Sequence, residues 1–420
     1  MTWKPRLIDP EELGATIDAS AVAFGFGPRA NEAEHRRASL VAEVDRTFVV
    51  EDGGVVAGTA GAYSMEVALP GGGSLPMAGV TWVGVLPTHR RRGALRAMMG
   101  AVHDQALERG EPIAGLTASE GGIYRRFGYG VATRCHEVVI DRAALADVER
   151  VVPGPAAPED AGNGPVRLVS EDAARSVLPA VWDRYWRRVP GEVRRPDRWW
   201  DMLALDVEHL RDGASARFVA VHDDADGAPD GFAIYRIKEG WGEGRLLPHT
   251  LRVESIAAAE DAAEAALLRF LLGVDLVRTV EWWAPVDLPL RWGLANPRAV
   301  RVTGEYDLLW LRPFDVAACL STRRYAAEGS CVIEVVDPDR PGVGGRFRLE
   351  GGPEGATCAR TSAEPDLAVG VAELGALLLG GVSWATLGRA GLLDEATPGA
   401  AARADGMFRP ERAPYCATDF

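Results

Sequence analysis

Several features that mark familiar classes of protein are scarce or missing from this 420-residue chain. Its five cysteines are scattered and never form a C-x-x-C pair, so neither a disulfide framework nor a zinc site is expected. They are Cys135, Cys319, Cys331, Cys358 and Cys416. The seven histidines are also dispersed, and the absence of H-E-x-x-H and G-K-[ST] motifs argues against metalloprotease and P-loop chemistry. We therefore expect no bound metal.

Long apolar runs are missing too. No stretch approaches the length of a membrane span, and residues 1–10 lack the apolar run of a signal peptide, so we expect a cytoplasmic protein without a membrane partner. Lysine is nearly absent, because only Lys4 and Lys238 occur among 46 basic residues. The net charge of -14 argues against a nucleic-acid partner and favours cationic ligands, although ordinary soluble proteins are often as acidic.

The most informative segment lies between Val80 and Tyr129. Val80 to Leu86 is apolar and β-branched, which is typical of a buried strand. Apolar residues then recur at helical spacing and predict a helix that starts after Gly93 and ends near Glu108. These residues are Leu95, Met98, Met99, Val102 and Ala106.

The predicted helix starts at a basic turn that is suited to an anion. Free amides of its first turn carry the positive end of the helix dipole, and Gly93 lets a phosphate approach the backbone. Arg90, Arg91, Arg92 and Arg96 add positive charge. The alternative is a solvated basic helix start, since arginine is abundant along the whole chain. The preceding strand, the glycine and the later Tyr124 favour a pyrophosphate site.

This segment resembles the cofactor motif of the GNAT superfamily of N-acetyltransferases. Arg90-x-x-Gly93-x-Leu95 fits that motif except at its last position, where leucine replaces a small residue. The longer strings Pro87-Thr-His-Arg-Arg-Arg-Gly93 and Ala118-Ser-Glu-Gly-Gly-Ile-Tyr124-x-Arg-Phe-Gly-Tyr129 resemble the enhanced intracellular survival (Eis) family, in which that leucine is usual.

The resemblance implies acetyl-CoA as co-substrate. We expect the backbone of Val83, Gly84 and Val85 to pair with the pantetheine arm. The phosphates are expected to bind the turn and helix start, and two further residues are expected at the cofactor edge after the next strand. The residues expected to bind the phosphates are Arg91, Arg92, Gly93, Ala94, Leu95 and Arg96. Those expected at the edge of the cofactor are Ser119 and Glu120.

Amine acetylation needs an acid and a base, because the amine arrives protonated and the thiolate leaves without a proton. The resemblance assigns the acid to Tyr124, on a short helix after a strand that splays to admit the thioester; the alternative is a packed tyrosine, the role expected of Tyr129. It assigns the base to the α-carboxylate of Phe420. An aromatic last residue also suggests an end inserted into the fold.

The acceptor site is expected to involve aromatic and acidic side chains. Asp419 would add negative charge for a cationic amine. Trp82, Phe24 and Phe26 are further candidates, although aromatic residues more often belong to a core.

The chain length predicts two or three domains, and we expect a mixed α/β protein of three. A segment rich in proline, glycine and alanine, 151–165, marks the first linker. Residues 1–153 are expected to form the catalytic GNAT domain. Residues 154–308 repeat its β-β-β-α-β order without glycine or arginine at the helix start, where Glu260 and Asp261 would repel a pyrophosphate, so this copy is expected to be degenerate.

Residues 309–420 change pattern, with strands expected at 331–336, 346–349 and 357–361 and helices at 371–379 and 384–391. The resemblance implies a sterol-carrier-like domain here. The apolar helix at 374–380 could line a lipid tunnel, or it is ordinary core.

The sequence thus predicts an N-acetyltransferase that acts on amines of cationic small molecules such as aminoglycosides, at one or several positions. The resemblance also implies a homo-oligomer, expected as a hexamer. Two alternatives remain at this point: a protein-lysine or polyamine acetyltransferase, and a lipid-binding carrier with relic acetyltransferase domains.

Overall fold

The computed structural model describes residues 3–145, 164–240 and 248–420, which form two compact units. The first unit comprises Met1–Thr133, Pro190–Val193 and Asp307–Phe420, and the second comprises Arg134–Val189 and Arg194–Tyr306. The predicted linker 151–165 lies outside the described residues, except for its last two. The domain limits expected from the sequence stay a prediction. Within the described ranges, no helix has the length and apolar character needed to cross a bilayer.

The N-terminal part of the first unit contains several helices and strands, among them the strand and the helix that the motif segment predicts. They are β1 (Arg6–Leu7), α1 (Leu13–Phe24), α2 (Glu32–Val41), β2 (Thr47–Asp52), β3 (Val55–Ala68), β4 (Ser74–Val85), α3 (Ala94–Glu108), β5 (Ile113–Thr117), α4 (Gly121–Tyr124) and β6 (Gly130–Val131). The predicted strand and the helix after Gly93 are confirmed, although β4 spans Ser74–Val85 rather than Val80–Leu86. Met98, Met99, Val102 and Ala106 of α3 are buried, as their spacing predicts.

The second unit repeats this order. Its elements are β7 (Arg134–Asp141), β8 (Val166–Val169), α5 (Glu171–Tyr185), α6 (Asp197–Ala204), β9 (Phe218–Asp223), β10 (Pro229–Lys238), β11 (His249–Ala258), α7 (Asp261–Gly273), β12 (Val277–Pro285), α8 (Leu290–Gly293) and β13 (Val300–Asp307). The consecutive strands β9 and β10 pair antiparallel as a hairpin. The succession β9, β10, β11, α7, β12 matches β2, β3, β4, α3, β5, and the expected repeat is confirmed.

Each large sheet contains a strand from a distant part of the sequence. The first has the order β1-β2-β3-β4-β5-β14-β6, in which β14 (Leu309–Pro313) pairs antiparallel with β5. The second has the order β13-β7-β12-β11-β10-β9-β8, in which β7 pairs antiparallel with β12. Residues 134–141 fall within the expected first domain and 309–313 within the expected third, and the two strands pair in the second and the first sheet, respectively. Strands can pair with partners that are distant in the sequence, so the composition of a short strand does not predict which strand it pairs with.

The C-terminal part of the first unit contains the third sheet, of order β17-β16-β15-β18-β19. Its elements are α9 (Val316–Thr322), β15 (Gly329–Val336), β16 (Gly345–Gly352), β17 (Gly355–Arg360), β18 (Leu367–Gly370), α10 (Val371–Leu377), α11 (Trp384–Arg389), β19 (Leu393–Glu395) and α12 (Ala400–Phe408). The predicted strands and helices are confirmed. The strands β18 and β19 and the helices α9 and α12 were not predicted.

Helix α10 packs closely against the strand β6. A Cβ built at Gly130 would lie 1.8 Å from the carbonyl oxygen of Ala372, so only glycine allows the two backbones to approach this far. Leu374, Leu377 and Leu378 have no exposed surface, which favours ordinary core packing over a tunnel lining.

Buried cations in the first unit are arginines, in keeping with the shortage of lysine. Arg46 and Arg312 are 0% exposed. Arg46 donates two hydrogen bonds, of 2.7 and 2.6 Å, to the carboxylate of Glu111. Arg312 donates to Asp337 at 2.8 Å and to the carbonyl of Phe127 at 2.7 Å. The planar guanidinium can serve several acceptors at once, which a lysine ammonium does less well.

The pair formed by Arg312 and Asp337 provides a stability test, because both side chains are 0% exposed. We expect Asp337→Asn to lower the free energy of unfolding by about 3–5 kcal/mol, since it leaves a buried guanidinium without its counter-ion. Urea denaturation measures the loss.

The control is Glu305→Gln, in the pair of Arg134 and Glu305, whose side chains are 44% and 48% exposed. Screening by water should keep its effect within about 1 kcal/mol. Equal effects of the two substitutions would show that burial does not govern the contribution of Asp337.

Candidate active site

Strands β4 and β5 part after a short parallel contact. They pair only over Met77–Gly79 and Ile113–Gly115, whereas β4 continues to Val85 along β3. In the described part of the chain, no strand pairs with the other edge of β4 beyond Gly79. Backbone groups of 80–85 on that edge are therefore available to an extended ligand, which can add as a strand. We call this opening the β4–β5 fork.

A β-bulge at Trp82 interrupts β4 inside the fork. Trp82 has a φ of 53°, and the register along β3 shifts between Thr59 and Gly61. The Thr59 hydroxyl donates to the Trp82 carbonyl at 2.7 Å, which satisfies that acceptor on the β3 side. Bulges of this kind re-aim the backbone and side chains of a strand and are frequent next to active sites.

The basic turn has the form expected of an anion site. Gly93 has a φ of 88°, in the left-handed region that favours glycine, and it precedes α3 without a side-chain cap. Arg91, Arg92 and Arg96 are exposed. Because no side chain caps the helix start, its amides and these guanidinium groups can together bind a phosphate.

Arg90 has a different role from its neighbours. Its Nε donates to the carbonyl of Val85 at 3.2 Å, and its Nη2 donates to the carbonyl of Ala23 at 3.1 Å. It therefore joins the end of α1 to the end of β4. Trp3 supports the turn from another side, because its indole N–H donates to the carbonyl of Arg92 at 2.8 Å.

Tyr124 lies on α4, directly after β5, and is 5% exposed. Burial, and to a lesser extent the charge of Glu120, raises the pKa of Tyr124 to about 12. The phenol is therefore protonated at neutral pH. Among the described residues, no protein group forms a hydrogen bond with its hydroxyl, so this donor is available to a ligand. Ser119 and Glu120 are exposed between β5 and α4.

Tyr129 packs edge-on against Tyr124, with ring centroids 6.1 Å apart. Its hydroxyl lies 3.0 Å from Nε2 of His103. Burial, followed by the charges of Arg312 and Arg340, lowers the pKa of His103 well below its usual value. Tyr129 is 0% exposed with a satisfied hydroxyl, which agrees with the packing role expected of it.

The last residues of the chain lie at the fork. The Thr117 hydroxyl, at the end of β5, is 3.1 Å from the main-chain oxygen of Phe420 and 2.9 Å from Oδ1 of Asp419. A Cβ built at Gly79 would lie 3.2 Å from the Phe420 ring. Thr117 was not predicted, because nothing in the sequence distinguishes a threonine at the end of a strand.

The three aromatic acceptor candidates lie in two different surroundings. Phe24 and Phe26 are 40% and 76% exposed and stack with centroids 5.9 Å apart. The Phe24 ring lies 4.0 Å from a Cβ built at Gly84, beside the open strand. Trp82 packs instead against the small cluster that includes Ile17 and Ala21. The exposed pair is therefore better placed to meet a ligand.

At the corresponding helix start in the second unit, neighbouring protein groups bind one another. Arg188 donates to the carbonyl of Ala258 at 3.1 Å and to the Asp261 carboxylate at 3.0 Å. The amide of Ala259 donates to the carbonyl of Asp230 at 2.7 Å. An acidic N-terminus whose neighbouring groups bind one another is not suited to a pyrophosphate.

Comparison with known protein families identifies three regions. The acetyltransferase (GNAT) domain family matches residues 4–132, and a second acetyltransferase (GNAT) domain family matches residues 191–312. The sterol carrier protein domain family matches residues 316–417. The predicted fold class, two GNAT domains followed by a sterol-carrier-like domain, is confirmed.

Relatives match most or all of this chain along its length. An uncharacterized N-acetyltransferase of Streptomyces avermitilis is 39% identical over 422 residues and covers 99% of either chain. The N-acetyltransferase Eis of Mycobacterium bovis is 37% identical over 356 residues, 83% of either chain. The crystal structure of Eis1 from Mycobacterium abscessus matches with a TM-score of 0.84 and 33% identity, over 100% of both chains.

The turn at Gly93 can be tested by binding. We expect Gly93→Asp to abolish coenzyme A binding, because it places a negative charge where a pyrophosphate would lie. Gly93→Asn is the control, since asparagine tolerates the left-handed backbone and has nearly the same size without the charge. Calorimetric titration should give one ligand per wild-type chain. Equal affinities of the two variants, or two ligands per chain, would contradict this assignment.

Proposed function

The chain belongs to the Eis family of GNAT N-acetyltransferases, and from that premise we propose that it acetylates amino groups of cationic small molecules such as aminoglycosides. Acetyl-CoA is the acetyl donor. The β4–β5 fork is the observation that carries the proposal, because an open strand edge, a buried phenol and a carboxylate-rich segment adjoin it.

Each part of the fork has a proposed binding role. The backbone of Val83, Gly84 and Val85 pairs with the pantetheine arm. The pyrophosphate binds at the helix start formed by Gly93, Ala94 and Leu95, with Arg91, Arg92 and Arg96 around it. Ser119 and Glu120 lie at the edge of the cofactor, since they directly follow β5.

The reaction requires one acyl transfer, the loss of two protons from the nitrogen and the gain of one proton by the sulfur. The α-carboxylate of Phe420 accepts a proton from the ammonium group, and the neutral amine attacks the thioester carbonyl carbon. The C–S bond breaks as the C–N bond is completed, and the Tyr124 phenol donates a proton to the departing sulfur. The nitrogen loses its second proton to water as the amide forms, water returns a proton to the phenolate, and the carboxylate releases its proton to water.

Local charge supports a cationic acceptor. The Thr117 hydroxyl lies within hydrogen-bond distance of both Asp419 and Phe420. Two negative groups are therefore close together at one end of the fork, where they attract an ammonium ion. Phe24 and Phe26 offer exposed rings to the acceptor, and Trp82, which packs against the cluster of Ile17 and Ala21, is a further candidate for the acceptor site.

The proposal extends to the whole chain. Residues 1–153 catalyse the reaction, residues 154–308 are a copy that does not bind the cofactor, and residues 309–420 contribute the carboxylate. A cytoplasmic location and assembly into a hexamer belong to the same proposal. Light scattering measures the assembly, and a monomer would contradict it.

A product map from purified protein, acetyl-CoA and varied amines tests the acceptor class. Mass spectrometry should find acetylated aminoglycosides. If only peptide lysines or linear polyamines gained acetyl groups, the aminoglycoside proposal would be wrong; absence of any thioester consumption would favour a carrier protein.

We expect Tyr124→Phe to lower kcat by about 10²-fold, because it removes the donated proton and little else. The dissociation constant for acetyl-CoA should change little. Steady-state kinetics and calorimetry measure the two quantities.

Tyr129→Phe is the matched control, since it makes the same change in a neighbouring buried ring whose hydroxyl contacts His103. Its kcat should stay within a few-fold of wild type. A Tyr124→Phe enzyme as active as the Tyr129→Phe enzyme would remove Tyr124 from the mechanism.

Deleting Phe420, or adding a few residues after it, should abolish acetylation of kanamycin and leave cofactor binding intact. Both changes move the α-carboxylate or convert it to a neutral amide. Phe420→Ala should be milder, because it keeps a carboxylate at this position and loses only the anchoring ring.

The control adds the same residues at the N-terminus instead. Full activity of both the deleted and the C-terminally extended proteins would show that another group is the base.

A further inference from the structure

The segment that carries Asp419 and Phe420 contains no helix or strand. After α12 ends at Phe408, residues 409–420 run as irregular chain. Tyr415, Cys416 and Thr418 are nevertheless at most 5% exposed. A segment without secondary structure stays in one position only if specific contacts hold it.

One buried carboxylate supplies several of these contacts. Glu192 is 0% exposed. Its Oε2 accepts a hydrogen bond from the amide of Ala417 at 2.8 Å. Its Oε1 accepts from the Thr418 hydroxyl at 2.8 Å, and the Cys416 sulfur lies 3.7 Å from the same oxygen. Three consecutive residues are thus attached to a single side chain, two positions before Phe420.

Glu192 is itself fixed to the catalytic sheet. It lies in the segment Pro190–Val193, which interrupts the second unit in sequence and belongs to the first. The amide of Gly191 donates to the carbonyl of Ala68 at 2.8 Å, and the Ala68 amide donates to the carbonyl of Glu192 at 2.9 Å. Ala68 is the last residue of β3, the strand that pairs with β4.

The segment Pro190–Val193 also holds residues 409–420, here called the tail, at a second point. The amide of Tyr415 donates to the carbonyl of Pro190 at 3.0 Å. The tail is therefore attached to the β3 side through 190–192 and to the β5 side through Thr117. These two sets of contacts determine the position of Phe420.

We propose that Glu192 is a positioning residue that fixes the reactive end of the tail in the fork. This inference rests on the proposed role of Phe420. Both carboxylate oxygens accept hydrogen bonds, so a neutral amide cannot replace it without turning an NH₂ group toward one donor. Loss of the hydrogen bonds from Ala417 and Thr418 to Glu192 displaces Phe420, and a displacement of about 1 Å can reduce a rate by about 10²-fold.

The main variants are Glu192→Gln and Thr418→Val. The first keeps the size of the side chain, and the second is nearly isosteric and removes only the hydroxyl that donates to Glu192. We expect kcat to fall about 10-fold or more, with unchanged KM and dissociation constant for acetyl-CoA. If the Glu192 variant does not fold, Thr418→Val decides the question.

Asp366→Asn is the matched control. Asp366 also accepts from one backbone amide, that of Val332 at 2.8 Å, and from one threonine hydroxyl, that of Thr397 at 2.7 Å. None of these three residues forms a hydrogen bond with residues 409–420. A general loss of stability should therefore appear in this variant without the loss of kcat.

Carboxypeptidase digestion provides a readout that does not depend on catalysis. Mass spectrometry follows the release of Phe420, which should be several-fold faster in the Glu192 and Thr418 variants than in wild type or the Asp366 control. Release at the wild-type rate, or a kcat within twofold of the control, would overturn the inference.

The Phe420 deletion separates the two proposals. If the deleted enzyme is inactive and the Glu192 and Thr418 variants are fully active, only the positioning role fails. If the deleted enzyme is fully active, the base assignment fails together with the catalytic consequence drawn here for Glu192.

Discussion

The parting of β4 from β5 is the constraint on which the rest of the site depends. The two strands pair only over Met77–Gly79 and Ile113–Gly115, and beyond that contact β4 has one open edge. An open edge inside a sheet leaves backbone donors and acceptors without partners, which is costly unless a ligand or water satisfies them. The bulge at Trp82 lies within β4, and the basic turn at Gly93 comes after that strand. The short helix that carries Tyr124 comes after β5.

The C-terminal part of the chain is an integral part of the catalytic unit. Its first strand, β14, covers β5, and Arg312 on that strand donates to the carbonyl of Phe127, three residues beyond Tyr124. Arg125 in the same turn forms an ion pair with Glu373 of α10. The region of sterol-carrier type thus supports the turn that carries the phenol, whatever else it binds. Its role here is structural support.

Short sequence patterns predicted those parts of the site that are formed by residues close together in the sequence. The apolar spacing from Leu95 to Ala106 and the glycine at 93 were sufficient to predict α3 and its start after Gly93. The strand exchange was not predictable, because 309–313 would fit any of the sheets by composition. Thr117 and Glu192 also escaped notice, since their partners lie 303 and 226 residues away and a lone threonine or glutamate has no distinguishing pattern. Only the folded chain shows which buried polar groups meet.

The exchanged strands also determine the order in which the chain can fold as it is made. Thr117 pairs with Leu309, so β5 leaves the ribosome long before the strand that covers it. At about 5–20 residues per second, the intervening synthesis takes roughly 10–40 s. During that interval the nascent sheet has an exposed edge that can pair wrongly with another chain. The first GNAT-like sheet therefore cannot be completed until synthesis has passed β14, whereas all strands of the second lie between Arg134 and Asp307.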